Sequence, residues 1–101
     1  MRPRTFDFIN RLHKVDFPNY VISVVLFGSE VYGTPNCFSD IDLGIVVPKN
    51  ISLQERLLVE ELLESLEPPF PLQCVYVSYT DEKLPDKDVR RQIFEKGVKV
   101  Y

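Results

Sequence analysis

Apolar and polar positions change period several times along the chain, and each change marks an element. From Thr5 to Val15 they recur at helical spacing, with Phe6, Ile9 and Leu12 or His13 on one stripe and Phe8 beside it. This predicts a first helix that stops before Phe17-Pro18, because a residue preceding proline is pushed out of the α region. Tyr20 to Phe27 is a run of β-branched and aromatic residues between Asn19 and Gly28, which predicts a buried strand. Asp40 to Val47 predicts a second strand, ended by Pro48. Ser52 to Ser65 predicts a helix: Ser52 and Glu55 fit a capping box, and Leu53, Leu57, Leu62 and Leu66 supply an apolar stripe. Glu60, Glu61 and Glu64 then form its solvated face. Pro68, Pro69 and Pro71 end that helix, and Leu72 to Tyr79 predicts a third strand. Asp86 to Glu95 predicts a last helix with Asp86 as N-cap and Gly97 at C′, after which Val98 to Tyr101 is apolar enough for one more short strand.

This order of elements predicts an α/β (α+β) fold around a small sheet. At 101 residues the chain is expected to be one domain spanning 1–101. Composition only narrows the class: 45% hydrophobic and 27% charged residues exclude disorder, a collagen repeat and a disulfide scaffold. Twelve Lys+Arg against fifteen Asp+Glu leave a net charge of −3, which argues against general nucleic-acid binding while leaving a metal-chelated nucleotide open. No apolar run reaches the roughly 20 residues of a membrane span, and the N-terminus lacks the apolar region of a secretory signal. Cys37 and Cys74 have no framework spacing, so free thiols and a cytoplasmic location are expected. A single histidine supplies a Cys/His zinc site poorly, and His13 reads as a surface residue of the first helix.

The candidate chemistry lies between the first two strands. Asp40 and Asp42 are two apart on a predicted strand, so both carboxylates face one side, with Gly44 next on that side adding no bulk. Such a pair repels itself unless a cation lies between its members. Hard divalent ions such as Mg²⁺ take these oxygen ligands and share them with substrate phosphates. In isolation an Asp-x-Asp is also the ordinary solvated start of a strand. Gly28-Ser29, directly after the first strand, adds a backbone that a ligand can approach closely and a hydroxyl that can hold phosphate. If the two strands are neighbours, a phosphate-holding turn and a metal-holding pair meet at one sheet edge.

Gly28-Ser29, ten residues, then Asp40-Ile41-Asp42 resembles the motif of the minimal nucleotidyltransferases, within the DNA polymerase beta-like nucleotidyltransferase superfamily. Gly33-Thr34, the apolar runs before Gly28 and from Leu43 to Val47, and the ending Val89 to Tyr101 are similar as well. The resemblance implies a mixed sheet with helices packed on one face and the site at the other. It implies transfer of a nucleoside monophosphate, usually AMP from ATP, onto a hydroxyl with release of pyrophosphate. Gly28 and Ser29 would bind the nucleotide, and Asp40 and Asp42 would be the catalytic ligands of Mg²⁺. The resembled family often works as toxin and antitoxin, the small transferase adding AMP to a tyrosine of a helical partner of the HEPN type.

The chain departs from the pattern at Leu72-Gln73-Cys74-Val75, where the resemblance implies a third carboxylate and Gln73 stands instead. A glutamine oxygen can ligate a metal, but it brings no charge and accepts no proton. Asp81 and Glu82 lie beyond that strand's apolar core, too far along for substitutes. Glu30, beside a bound triphosphate, would be repulsive unless it points away or touches a metal, and it is assigned no catalytic role. An alternative of another class follows from Gln73: a non-catalytic module that keeps the nucleotide pocket and acts by binding a partner.

Overall fold

The computed structural model describes residues 1–33, 36, 39–78 and 89–101. Cys37, Asp81, Glu82 and Asp86 lie outside the described residues. The elements run α1 (Pro3–Leu12), β1 (Ser23–Phe27), α2 (Ser29–Tyr32), β2 (Ile41–Val46), α3 (Leu53–Glu64), β3 (Leu72–Val77), α4 (Val89–Lys96) and β4 (Val98–Lys99). The four strands form one mixed sheet in the order β3-β2-β1-β4. β1 pairs antiparallel with β2 and with β4. β2 and β3 run parallel, which requires a crossover, and α3 supplies it.

Alternation along the strands separates two faces. Val24, Leu26, Ile41, Leu43 and Ile45 pack beneath Phe8, Ile9 and Leu12 of α1 and Val59 and Leu63 of α3. On the other face Val25, Phe27, Val46 and Val77 gather around Ile93 of α4. The mixed sheet with packed helices is as expected, with one addition: α4 covers part of the face that carries Asp42 and Gly44. A methyl group on Gly44 would stand 2.6 Å from Cγ2 of Ile93, so the glycine makes room for the helix.

Two predicted helix stripes need correction. In α1 the buried residues are Thr5, Phe8, Ile9 and Leu12, while Phe6 is 57% exposed. Positions 5, 8, 9 and 12 follow the spacing of a single helical face, and Phe6 turns away from it. In α3, Leu53 and Leu57 are 70% and 51% exposed, and Val59 and Leu63 are buried, flanked by partly buried Leu62 and Leu66. The five-residue step from Leu57 to Leu62 rotates about 140° around the axis, so the four leucines never shared one stripe.

The capping box itself is present, with Glu55 N donating to Ser52 Oγ at 3.2 Å and Ser52 N to the Glu55 carboxylate at 3.0 Å. Arg11 of α1 donates to the carbonyls of Leu66 and Glu67 just past α3, tying the two helices together where a cation suits the helix dipole. β1 begins three residues later than its apolar run, because Val21 N closes a turn on the Pro18 carbonyl. Gly97 directly follows α4, its N–H bonded to the Ile93 carbonyl, and Val98–Lys99 forms the expected short terminal strand. Among the described residues no helix is long and apolar enough to cross a membrane.

Candidate functional site

The sheet register builds the site. Phe27 is opposite Asp42 across the antiparallel pair, and Asp42 is opposite Gln73 across the parallel pair. Those three positions form one row on the face that α4 partly covers. Gly28 follows Phe27 with φ of 77°, a conformation that L side chains rarely adopt. A side chain there would also run into the carboxylate of Asp42. Gly28 is therefore required twice, for its backbone angle and for the closeness of the acid. It brings the turn before Ser29 directly against Asp42. Ser29 opens the four-residue α2 and is partly buried. Asp40, one residue before β2, is exposed.

The carboxyl of Asp42 is raised above its ordinary value, by burial first, then by the charges of Asp40 and Glu30. The charges of two other acids are thus felt at Asp42. Among the described residues, no three His, Cys, Asp or Glu side chains are grouped so as to hold a metal ion together.

Glu30 answers the question that its position raised. It is buried, with its side chain fully enclosed, and it turns toward Arg2 rather than outward. Nε of Arg2 donates to Glu30 Oε1 at 3.0 Å, and the Arg2 backbone N–H donates to the same oxygen at 3.4 Å. The guanidinium also donates to the carbonyls of Asn36 and Ser39, each at 2.8 Å, and lies 3.5 Å from the centre of the Phe70 ring. One cation thus fastens the N-terminal arm, the start of α2 and the residue just before Asp40. The other Glu30 oxygen, Oε2, is buried without a hydrogen-bond partner. Sequence reasoning missed Arg2 because it is separated from Glu30 by 28 positions and belongs to no local pattern. The signal available was Glu30 itself, an acid that needed a cation.

Cys74 is half-buried on the α1/α3 side of β3. Burial and the charges of Glu60 and Glu64 push its thiol up to about 12, so it stays neutral and unreactive at physiological pH. His13 is exposed at the end of α1.

A family model described as a nucleotidyltransferase domain matches residues 7–100. That match spans both Gly28-Ser29 and the Asp40/Asp42 pair. The chain belongs to the nucleotidyltransferase domain family. A comparison with curated proteins finds no match. The chemistry of a nucleotidyltransferase domain is nucleotidyl transfer, it binds a nucleotide substrate, and it typically uses a divalent metal. The residues of this nucleotidyltransferase domain fit such an ion. Asp40 and Asp42 are hard oxygen donors, and after burial, the larger cause, the charge of Asp40 also raises the Asp42 carboxyl, a repulsion that a bound cation would offset. Two protein carboxylates completed by substrate phosphates are a normal Mg²⁺ arrangement.

Proposed function

We propose that this nucleotidyltransferase domain moves a nucleoside monophosphate, AMP from ATP, onto a hydroxyl in a Mg²⁺-dependent reaction. The observation that carries this reading is the closeness of Gly28 to Asp42, which sets the turn before Ser29 against that carboxylate. Gly28 and Ser29 hold the triphosphate, and Asp40 and Asp42 hold the ion. When bound, the ion neutralises phosphate charge and stabilises the leaving pyrophosphate. The acceptor oxygen bonds to the α-phosphorus as the bond to the bridging pyrophosphate oxygen breaks. Gln73 cannot take the hydroxyl proton, which passes to water. A tyrosine acceptor suits that limitation, since a phenol ionises near pH 10 and needs less help from a base than an alkyl hydroxyl does. We therefore favour a tyrosine acceptor, and the resemblance to the minimal nucleotidyltransferases adds that it belongs to a HEPN-type helical partner in a toxin–antitoxin pair, in a cytoplasmic setting. The test incubates the chain with α-labelled ATP, Mg²⁺ and the protein encoded beside it. Changing Asp40→Asn with Asp42→Asn should cut label transfer by roughly a hundredfold or more. Transfer that survives both changes rejects the assigned site.

A second reading is favoured by Gln73, exposed and in register with Asp42. In it the domain keeps the nucleotide pocket but acts by binding its partner. Gln73→Asp separates the two. A gain of roughly a hundredfold in transfer, the scale of a positioned general base, would show that the amide limits the chemistry. Brisk transfer by the unchanged chain would overturn the binding-only reading.

A further inference from the structure

A second concave site lies at the opposite end of the same two parallel strands. Val47 follows β2, five positions and about 17 Å along the strand from Asp42, while Val77 ends β3 and Ser78 follows it. They border a cleft of about 150 Å³ that is also lined by Lys49, Arg56 of α3, Tyr76 and Arg90 of α4. Three cations therefore face one small opening in a chain whose net charge is −3.

Arg56 is the decisive residue. It is half-buried, its Nε is wholly buried without a hydrogen-bond partner, and among the described residues it makes no ion pair. Its guanidinium carbon lies 4.9 Å from the centre of the Tyr76 ring, and the Tyr76 hydroxyl donates to the Arg56 carbonyl at 3.1 Å. The tyrosine thus supports the arginine without satisfying its donors. A half-buried, partly dehydrated guanidinium that no acid among the described residues neutralises is suited to the paired oxygens of a phosphate-class anion. Lys49 is exposed at the rim and adds a mobile point charge. The cleft is smaller than the roughly 300–1,000 Å³ of sites that enclose drug-sized ligands, which selects a small anion over a whole nucleotide. It also lies beyond the carboxyl ends of parallel strands, where open α/β sheets commonly bind ligands.

We propose that the cleft between Lys49, Arg56 and Arg90 binds a small phosphate-class oxyanion, at a site separate from the Asp40/Asp42 edge. This inference is independent of the transfer reaction, and its test needs neither metal nor ATP. Inorganic phosphate and, separately, pyrophosphate are titrated into the full-length chain at constant ionic strength held with chloride, with backbone amide shifts followed by NMR. Saturable shifts are expected at Lys49 and at Tyr76 to Ser78. Arg56→Gln should weaken that response roughly tenfold, as loss of a paired-oxygen contact does. Lys49→Gln, at an exposed position that folding does not need, should weaken it about threefold, the smaller effect of a solvated charge. Asp42→Asn should leave these shifts in place. Tighter binding of pyrophosphate than phosphate assigns the site to a polyphosphate end, and the reverse order assigns it to a single phosphate group. A flat titration at Tyr76 to Ser78 overturns the proposal, as does a response there that neither Arg56→Gln nor Lys49→Gln reduces.

Discussion

The two ends of the β2–β3 pair carry opposite charges, and an arginine at each end shows how differently they are finished. At the acidic end Arg2 has partners on every side: the Glu30 carboxylate, the carbonyls of Asn36 and Ser39, and the Phe70 ring. At the basic end Arg56 has a ring beneath it and nothing for its Nε. A cation with all donors used holds structure together. A cation with donors left over can hold a ligand. Arg2 thus serves the acid pair from behind, by fixing the residue that precedes Asp40, whereas Arg56 lines the cleft.

The largest effect is expected at Arg2. Its side chain is 12% exposed and its partner Glu30 is fully enclosed, so Arg2→Ala leaves a buried carboxylate with no counter-charge. Removing one member of such a pair costs about 3–5 kcal/mol, a large part of the roughly 5–15 kcal/mol that keeps a domain folded. Denaturant unfolding should show that loss, and Arg2→Lys should fall between, because an ammonium cannot span a carboxylate and two carbonyls in one plane. A loss below about 1 kcal/mol, the scale of a surface ion pair, would erase the contrast between the two arginines.

Arg56→Met should change stability far less. It discards donors that no described protein group accepts and keeps an unbranched stem of similar reach over Tyr76. The loss of the ring contact, about 0.5–1 kcal/mol, is partly offset by removal of an unpaired buried N–H. The same unfolding measurement checks it. A loss above about 2 kcal/mol would mean that Arg56 carries a structural role after all, as Arg2 does.

What could be read from the chain alone follows the range of the interactions. Strands with continuous apolar runs were legible, as were the capping box at Ser52 and the side shared by Asp42 and Gly44. Each of these rests on residues only a few positions apart. The stripes of α1 and α3 were misread because both helices carry apolar residues on more than one side. Only packing decides that Phe8 goes in and Phe6 stays out. The Gly28–Asp42 approach depended on β1 and β2 being neighbours, which the chain alone left as a condition and the antiparallel register now supplies. Arg2 with Glu30, and Lys49 with Arg56 and Arg90, join distant parts of the chain, and no local pattern marks either group.

The smallest effect concerns the charge that the acidic end leaves uncompensated. The folded pKa of Asp42 lies above its ordinary 3.8, through burial first and then through Asp40 and Glu30. A carboxyl raised in this way binds its proton more tightly in the folded state than in the unfolded one. Its contribution to stability is therefore full below the unfolded pKa and is lost as pH rises through the folded one. Asp40→Asn removes the second of the three causes, so the Asp42 pKa should move down toward 3.8 without reaching it. The loss of stability on raising pH should shrink with it. Carbon-detected NMR titration of the Asp42 carboxyl reads the first expectation, and unfolding across the same pH range reads the second. Added Mg²⁺ should lower the same pKa in the unchanged chain, since a cation favours the carboxylate. An Asp42 that titrates identically with and without Asp40 would reduce its shift to burial and Glu30, and would remove the coupling on which the two-carboxylate cation site depends.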